Sequence, residues 1–172
     1  MKKTVVPALI LTAICFAVVA LLVLTNLLTE ERIAEAERKA TVAAAQSVLP
    51  GASLEALEED GISGYIGFGE DGSVVGYVFI NSARGYGGDV TAIVGVSIDG
   101  RIMGVSITAP DETPGLGANV TKDKFTSQFV GQESVGAYDA VSGATYSSEA
   151  AKESIEMALE NLKTLKEKGV AQ

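Results

Sequence analysis

The chain has 172 residues, with 13 Lys and Arg against 22 Asp and Glu, no His and no Trp. Lys2 and Lys3 are the only charged residues before Glu30, so the remainder carries a net charge of −11, which opposes binding to nucleic acid or, through a basic patch, to anionic lipid. The absence of His excludes a His-ligated haem, a His-containing zinc site and a Ser-His-Asp triad within the chain. The lone Cys15 excludes an internal disulfide and a self-contained iron–sulfur site.

In chain order, the first element is Val5–Leu24, an apolar run interrupted only by Pro7 and Thr12. As a helix it spans about 30 Å, the thickness of a bilayer's hydrocarbon core. The run is longer than the apolar region of a signal peptide, and Leu21 to Leu28 offers no small-x-small cleavage site, so an uncleaved anchor is predicted over residues 1–28. Lys2 and Lys3 place its N-terminus in the cytoplasm and the rest of the chain outside, by the positive-inside rule. Residues 29–50 read as a helical stalk. Thr29 caps it or the anchor simply continues, and Pro50-Gly51 ends it.

Residues 51–172 read as one domain. Four strands are predicted, Gly64–Gly69, Ser73–Asn81, Val90–Asp99 and Arg101–Ala109, with hairpin turns at Asp71-Gly72 and Asp99-Gly100. The acidic stretch from Glu55 to Asp60 reads as a solvated face. A short amphipathic piece, Lys122–Val130, puts Phe125 and Phe129 on one side. Ser148–Lys168 is the strongest helix, with an apolar stripe of Ala151, Ile155, Ala158, Leu159, Leu162 and Leu165. A mainly antiparallel sheet with flanking helices gives an α+β class.

Three loops do not read as ordinary packing. Asp139-Ala-Val-Ser142-Gly143-Ala144-Thr145 precedes the last helix, whose free N–H groups and dipole make a seat for a phosphate. The competing reading is a glycine turn with Thr145, Ser147 and Ser148 as helix caps. Ala109 to Asn119, with two prolines and two glycines in its middle, is a stiff, shaped loop: a surface turn, or a wall for a flat ligand with Leu116 as apolar contact. Gly85-Tyr86-Gly87-Gly88 is either a hairpin connection or a place where an aromatic ring stacks on a ligand.

The motif Asp139-x-x-Ser142-Gly143-Ala144-Thr145, together with the Glu112-Thr-Pro-Gly-Leu-Gly117 loop, the glycine-tyrosine loop and the single N-terminal anchor, resembles the FMN-binding domains of bacterial respiratory complexes. Within that family the pattern is most similar to the G subunits of the Rnf complexes, which are ion-pumping ferredoxin:NAD oxidoreductases. The C subunits of the sodium-pumping NADH:quinone reductases share the Ser-Gly-Ala-Thr motif and are the alternative. A membrane-tethered domain binding flavin non-covalently is the further one. The resemblance implies FMN carried on Thr145 through a phosphoester, with Ser142, Gly143 and Ala144 shaping the phosphate turn and Asp139 part of the recognition motif. It also implies that Glu112, Thr113, Leu116, Gly117 and Tyr86 lie near the flavin. The implied partners are the membrane, the other membrane, iron–sulfur and flavin subunits of the complex, and a Mg²⁺-dependent flavin transferase that takes FMN from FAD. Attachment by the chain itself is disfavoured, because a threonine hydroxyl needs a base and the motif offers only Asp139. The implied role is electron relay within the complex, with no catalytic or metal-binding residue in this chain. Tyr146-Ser147-Ser148 departs from the Thr-Ser pair common after the motif.

Overall fold

The computed structural model describes residues 2–170. Met1, Ala171 and Gln172, the outermost residues of the predicted anchor and domain, lie outside the described residues. So do the side chains of residues 2–5, including the orienting Lys2 and Lys3, and that of Ala8. The chain forms two compact units, Met1–Ala40 and Thr41–Gln172.

The first unit belongs to helix α1 (Lys2–Val48). Its apolar stretch is long enough to cross a membrane and none of it is buried inside the protein. Leu9, Phe16, Leu21, Leu22 and Leu28 are all exposed. Side chains of this kind on every face leave no polar stripe for water, which is the pattern of a helix solvated by lipid.

The second unit is built on a five-stranded antiparallel meander in the order β1-β2-β3-β4-β5: β1 (Ser53–Glu59), β2 (Ile62–Phe68), β3 (Val74–Arg84), β4 (Asp89–Ser97) and β5 (Ile102–Thr108). Turn chemistry sets the connections. Gly72 and Gly100 adopt φ of 78° and 92° in their Asp-Gly turns, and Asp71 Oδ1 accepts hydrogen bonds from the Ser73 N–H and hydroxyl. A fifth strand, β1, runs through the acidic stretch at Glu55–Asp60, whose Glu55, Glu58, Glu59 and Asp60 are solvent-exposed as expected while Leu57 is buried. It pairs with β2 from Ser53↔Phe68 to Glu59↔Ile62, closed by Asp60-Gly61 with φ of 47° and 82°. Positive φ at both residues is the geometry of a two-residue hairpin loop. Its free edge carries Glu55, Glu58 and Glu59, charges that discourage pairing with another chain.

Alternation along β3 and β4 gives each face its own core. Tyr77 and Phe79 with Ala92, Val94 and Val96 pack under helix α3 (Thr145–Glu167), against Ala151, Ile155, Ala158, Leu162 and Leu165. The intervening Val78 and Ile93 face the other way and meet Ala45, Val48 and Leu49 at the end of α1. Glycines make room for that chain end. A Cβ at Gly95 would collide with the Val48 carbonyl, one at Gly67 with Leu49, and one at Gly104 would lie 2.8 Å from Val48 Cα. We expect Gly95→Ala to lower stability by about 2 kcal/mol through overpacking. Gly136→Ala, where the added carbon meets open space, should stay within about 0.5 kcal/mol. Thermal melts of the full chain in detergent compare the two.

After β5 the chain runs through a 3-10 turn (Gly117–Thr121), the short helix α2 (Asp123–Thr126) and a second 3-10 turn (Ser127–Phe129). Phe125 and Phe129 are buried there and meet edge to face at 5.4 Å, with Tyr138 beside both.

Candidate functional site

Three loops converge at the N-terminal end of α3: the β3–β4 hairpin loop at Gly85–Gly88, the stretch Asp111–Gly117 after β5, and residues 139–144. Two of them are joined to α3 by Glu112, a carboxylate only 4% exposed. Its Oε1 accepts the N–H groups of Tyr86 (2.7 Å) and Gly87 (3.1 Å), and its Oε2 accepts the Ser147 hydroxyl (2.9 Å). Burial pushes the Glu112 carboxyl up. The hydrogen bonds from Gly87, Ser147, Tyr86 and Gly88 outweigh that and hold it below its ordinary value.

The glycines around this carboxylate are needed for closeness. A Cβ at Gly85 would run into Glu112 Oε1, one at Gly87 into the Asp111 carbonyl, and one at Gly117 into Glu112 Oε2. Gly143 is different. Its φ of 78° reverses the chain just before α3, a conformation with little steric penalty only for glycine.

Helix α3 starts without a side-chain cap. The serines that read as caps are used elsewhere: Ser147 donates to Glu112, and the Ser148 hydroxyl accepts the Val141 N–H at 3.0 Å. The first-turn N–H groups have no intrahelical acceptor, and Thr145, the first helical residue, is exposed. Its hydroxyl has no hydrogen-bond partner among the described residues.

Eight of the ten residues singled out in the sequence line one cavity of about 310 Å³. Tyr86 comes from the first loop, Glu112, Thr113, Leu116 and Gly117 from the second, and Gly143, Ala144 and Thr145 from the third. Tyr146 and Ser147 complete the lining. The sequence marks neither as a ligand contact, and a Ser shortly after a glycine turn reads as a cap. Asp139 and Ser142 line a second cavity of about 550 Å³, with Lys122, Lys124 and Gln128. Gln128 holds the Asp139 backbone there, its Oε1 accepting the N–H at 2.7 Å and its Nε2 donating to the carbonyl at 3.3 Å.

Every residue lining either cavity falls within residues 85–160, which match the family model of the FMN-binding domain. Residues 1–48 match the model of the RnfG N-terminal region. The G subunit of the Na(+)-translocating ferredoxin:NAD(+) oxidoreductase complex of Acetobacterium woodii is 31% identical over 182 residues, covering 88% of each chain. The chain belongs to the RnfG family. The RnfG relative from the proton-translocating ferredoxin:NAD(+) oxidoreductase complex of Clostridium ljungdahlii is 34% identical over 101 residues, covering 52% of this chain and 55% of that protein. Here the match spans about half of the relative's length. The domain is also similar to the crystal structure of the C subunit of the Na(+)-translocating NADH-quinone reductase from Parabacteroides distasonis, at 24% identity and a TM-score of 0.48, covering 57% of this chain and 59% of that one. In this RnfG chain a membrane-type helix is thus joined to an FMN-binding domain, each matched by its own family model.

Proposed function

We propose that this chain carries electrons within a membrane ion-translocating ferredoxin:NAD(+) oxidoreductase complex, through FMN joined to Thr145 as a phosphoester. The observation that carries the reading is the exposed, unengaged Thr145 hydroxyl at the start of α3, on a cavity inside the FMN-binding domain. The residues present suit a flavin nucleotide. The uncapped first turn of α3 offers N–H donors and the positive dipole end to a phosphate. Tyr86, Leu116 and Tyr146 offer an apolar and aromatic rim to a flat ring. The cavity sits at the small end of ligand pockets, which run from about 300 to 1,000 Å³, so it suits part of a nucleotide with the remainder at the surface.

Bound FMN supplies the redox chemistry, accepting electrons singly or in pairs, while the protein contributes position and electrostatics. Attachment is a transfer. The Thr145 Oγ–P bond forms, the pyrophosphate P–O bond of FAD breaks, and AMP leaves with the proton of the hydroxyl. The described residues put no base on the Thr145 hydroxyl, which favours a separate flavin transferase as the catalyst. Helix α1 anchors the domain in the cell membrane. The N-terminal lysines favour a cytoplasmic N-terminus and an extracytoplasmic domain. There a covalent cofactor has the advantage that it is not lost. The other subunits of the complex are the electron partners.

The test is the intact mass of the denatured full chain after co-expression with a flavin transferase. The expected result is a gain of one FMN less one water. A bare polypeptide, with the transferase active on a control substrate, would overturn covalent attachment. Flavin released on denaturation would then identify a non-covalent site.

A further inference from the structure

Tyr86 and Tyr146 stand apart from the other aromatic residues of the second unit. Tyr77, Phe79, Phe125 and Phe129 are buried, and Tyr65, Phe68 and Tyr138 are half-buried. Tyr86 is 77% exposed and Tyr146 68% exposed. The two come from elements far apart in sequence, the β3–β4 loop and the first turn of α3, yet their ring centroids lie 6.4 Å apart with a 39° tilt. Neither backbone is loose. The Tyr86 N–H is held by Glu112, and Tyr146 is inside the helix, next to Thr145. The pair lines the same cavity as the Thr145 hydroxyl, and Leu116, 47% exposed, stands at the same rim.

We propose that Tyr86 and Tyr146 form an aromatic clip that closes on the two faces of the isoalloxazine ring. The inference rests on the flavin reading above and adds to it the residues that hold the ring. The spacing supports a clip. A flat ring between two others needs two van der Waals layers, about 7 Å in all. Turned parallel and face to face, the two rings would need centroids less than about 1 Å farther apart than the 6.4 Å they have. Exposed side chains on fixed backbones make that adjustment by side-chain rotation alone. Tyrosine suits the position because its ring stacks while its hydroxyl stays in water.

The phenol of a stacked tyrosine quenches an excited flavin by reversible electron donation, so fluorescence reads the contact directly. The experiment uses the full chain in detergent, loaded by a co-expressed flavin transferase, with loading counted by intact mass. Wild type should fluoresce more weakly folded than denatured. Tyr86→Leu and Tyr146→Leu should each brighten the folded protein by about threefold, the loss expected when one aromatic contact no longer favours the stacked state, and the double variant more. Tyr86→Phe and Tyr146→Phe should brighten it too while keeping the wild-type visible circular dichroism, because phenylalanine stacks but does not donate. Loaded Leu variants as dim as wild type, or an effect at only one of the two positions, overturn the clip and leave the flavin reading standing. A wild type that carries no flavin beside an active transferase overturns the flavin reading and the clip with it.

Discussion

Thr145→Ala should carry no covalent flavin at all, and Thr145→Val, which keeps the shape of the side chain and removes only the oxygen, should be equally empty. The effect is expected to be all or none because the two serines that follow Thr145 in the helix cannot take over. Ser147 and Ser148 are buried with their hydroxyls bonded to Glu112 and the Val141 N–H. Reaching either would mean breaking a buried hydrogen bond, and freeing the Ser148 oxygen would leave a backbone donor unpaired. Thr145 by contrast is exposed at the first position of α3. Alanine is a good residue there, so stability should change by no more than about 0.5 kcal/mol. An unchanged melting curve beside an unshifted mass would thus assign the loss to chemistry and not to folding. A mass gain retained in Thr145→Val would place the attachment elsewhere and remove the central residue of the proposal.

Much of the domain is legible in the sequence because it rests on local periodicity. The apolar stripe from Ala151 to Leu165 recurs at helical spacing, and all six of its members are buried in α3. The Asp71-Gly72 and Asp99-Gly100 turns carry their own backbone requirement in their residue types. Strand β1 is hidden because it is an edge strand: its outward positions are acidic and only Leu57 is buried. Asp60-Gly61, the same signal as the other two turns, is the clue that reveals it. The seat of Val48 and Leu49 on Gly67, Gly95 and Gly104 is out of reach, because close packing between segments tens of residues apart leaves no local pattern. The candidate site divides the same way. The phosphate turn is visible as small residues before a helix. That Asp139 and Ser142 open onto a different cavity from Thr145 follows from the reversal at Gly143. That the glycines of two loops serve a single carboxylate follows from tertiary approach at Glu112, which spacing does not encode.

Glu112 should therefore be the most sensitive non-covalent position of the site. Glu112→Ala leaves the Tyr86 and Gly87 N–H groups and the Ser147 hydroxyl without their acceptor and opens a void under the Gly85–Gly88 loop. One buried and two half-buried donors left unpaired, together with the cavity, should cost about 3 kcal/mol, or a fall of about 9 °C in melting temperature. Glu112→Gln is milder, at about 1.5 kcal/mol. Its oxygen can still accept the two N–H groups, and the Ser147 hydroxyl can turn to accept from the new amide, so what is lost is the charge. The two variants also differ from wild type in acid. The folded-state carboxyl of Glu112 lies below its ordinary value. Its contribution is therefore full above the unfolded value, near 4.3, and disappears as pH falls through the lower folded value. The gap between wild type and Glu112→Gln should be constant from neutral pH down to about 5 and close below about 4. Melting temperatures across that range test the charge, and amide exchange at Tyr86 and Gly87 tests the loop. A gap that persists undiminished at about pH 3, below the ordinary carboxylate range, would mean that the carboxylate's charge does not hold the two loops to helix α3.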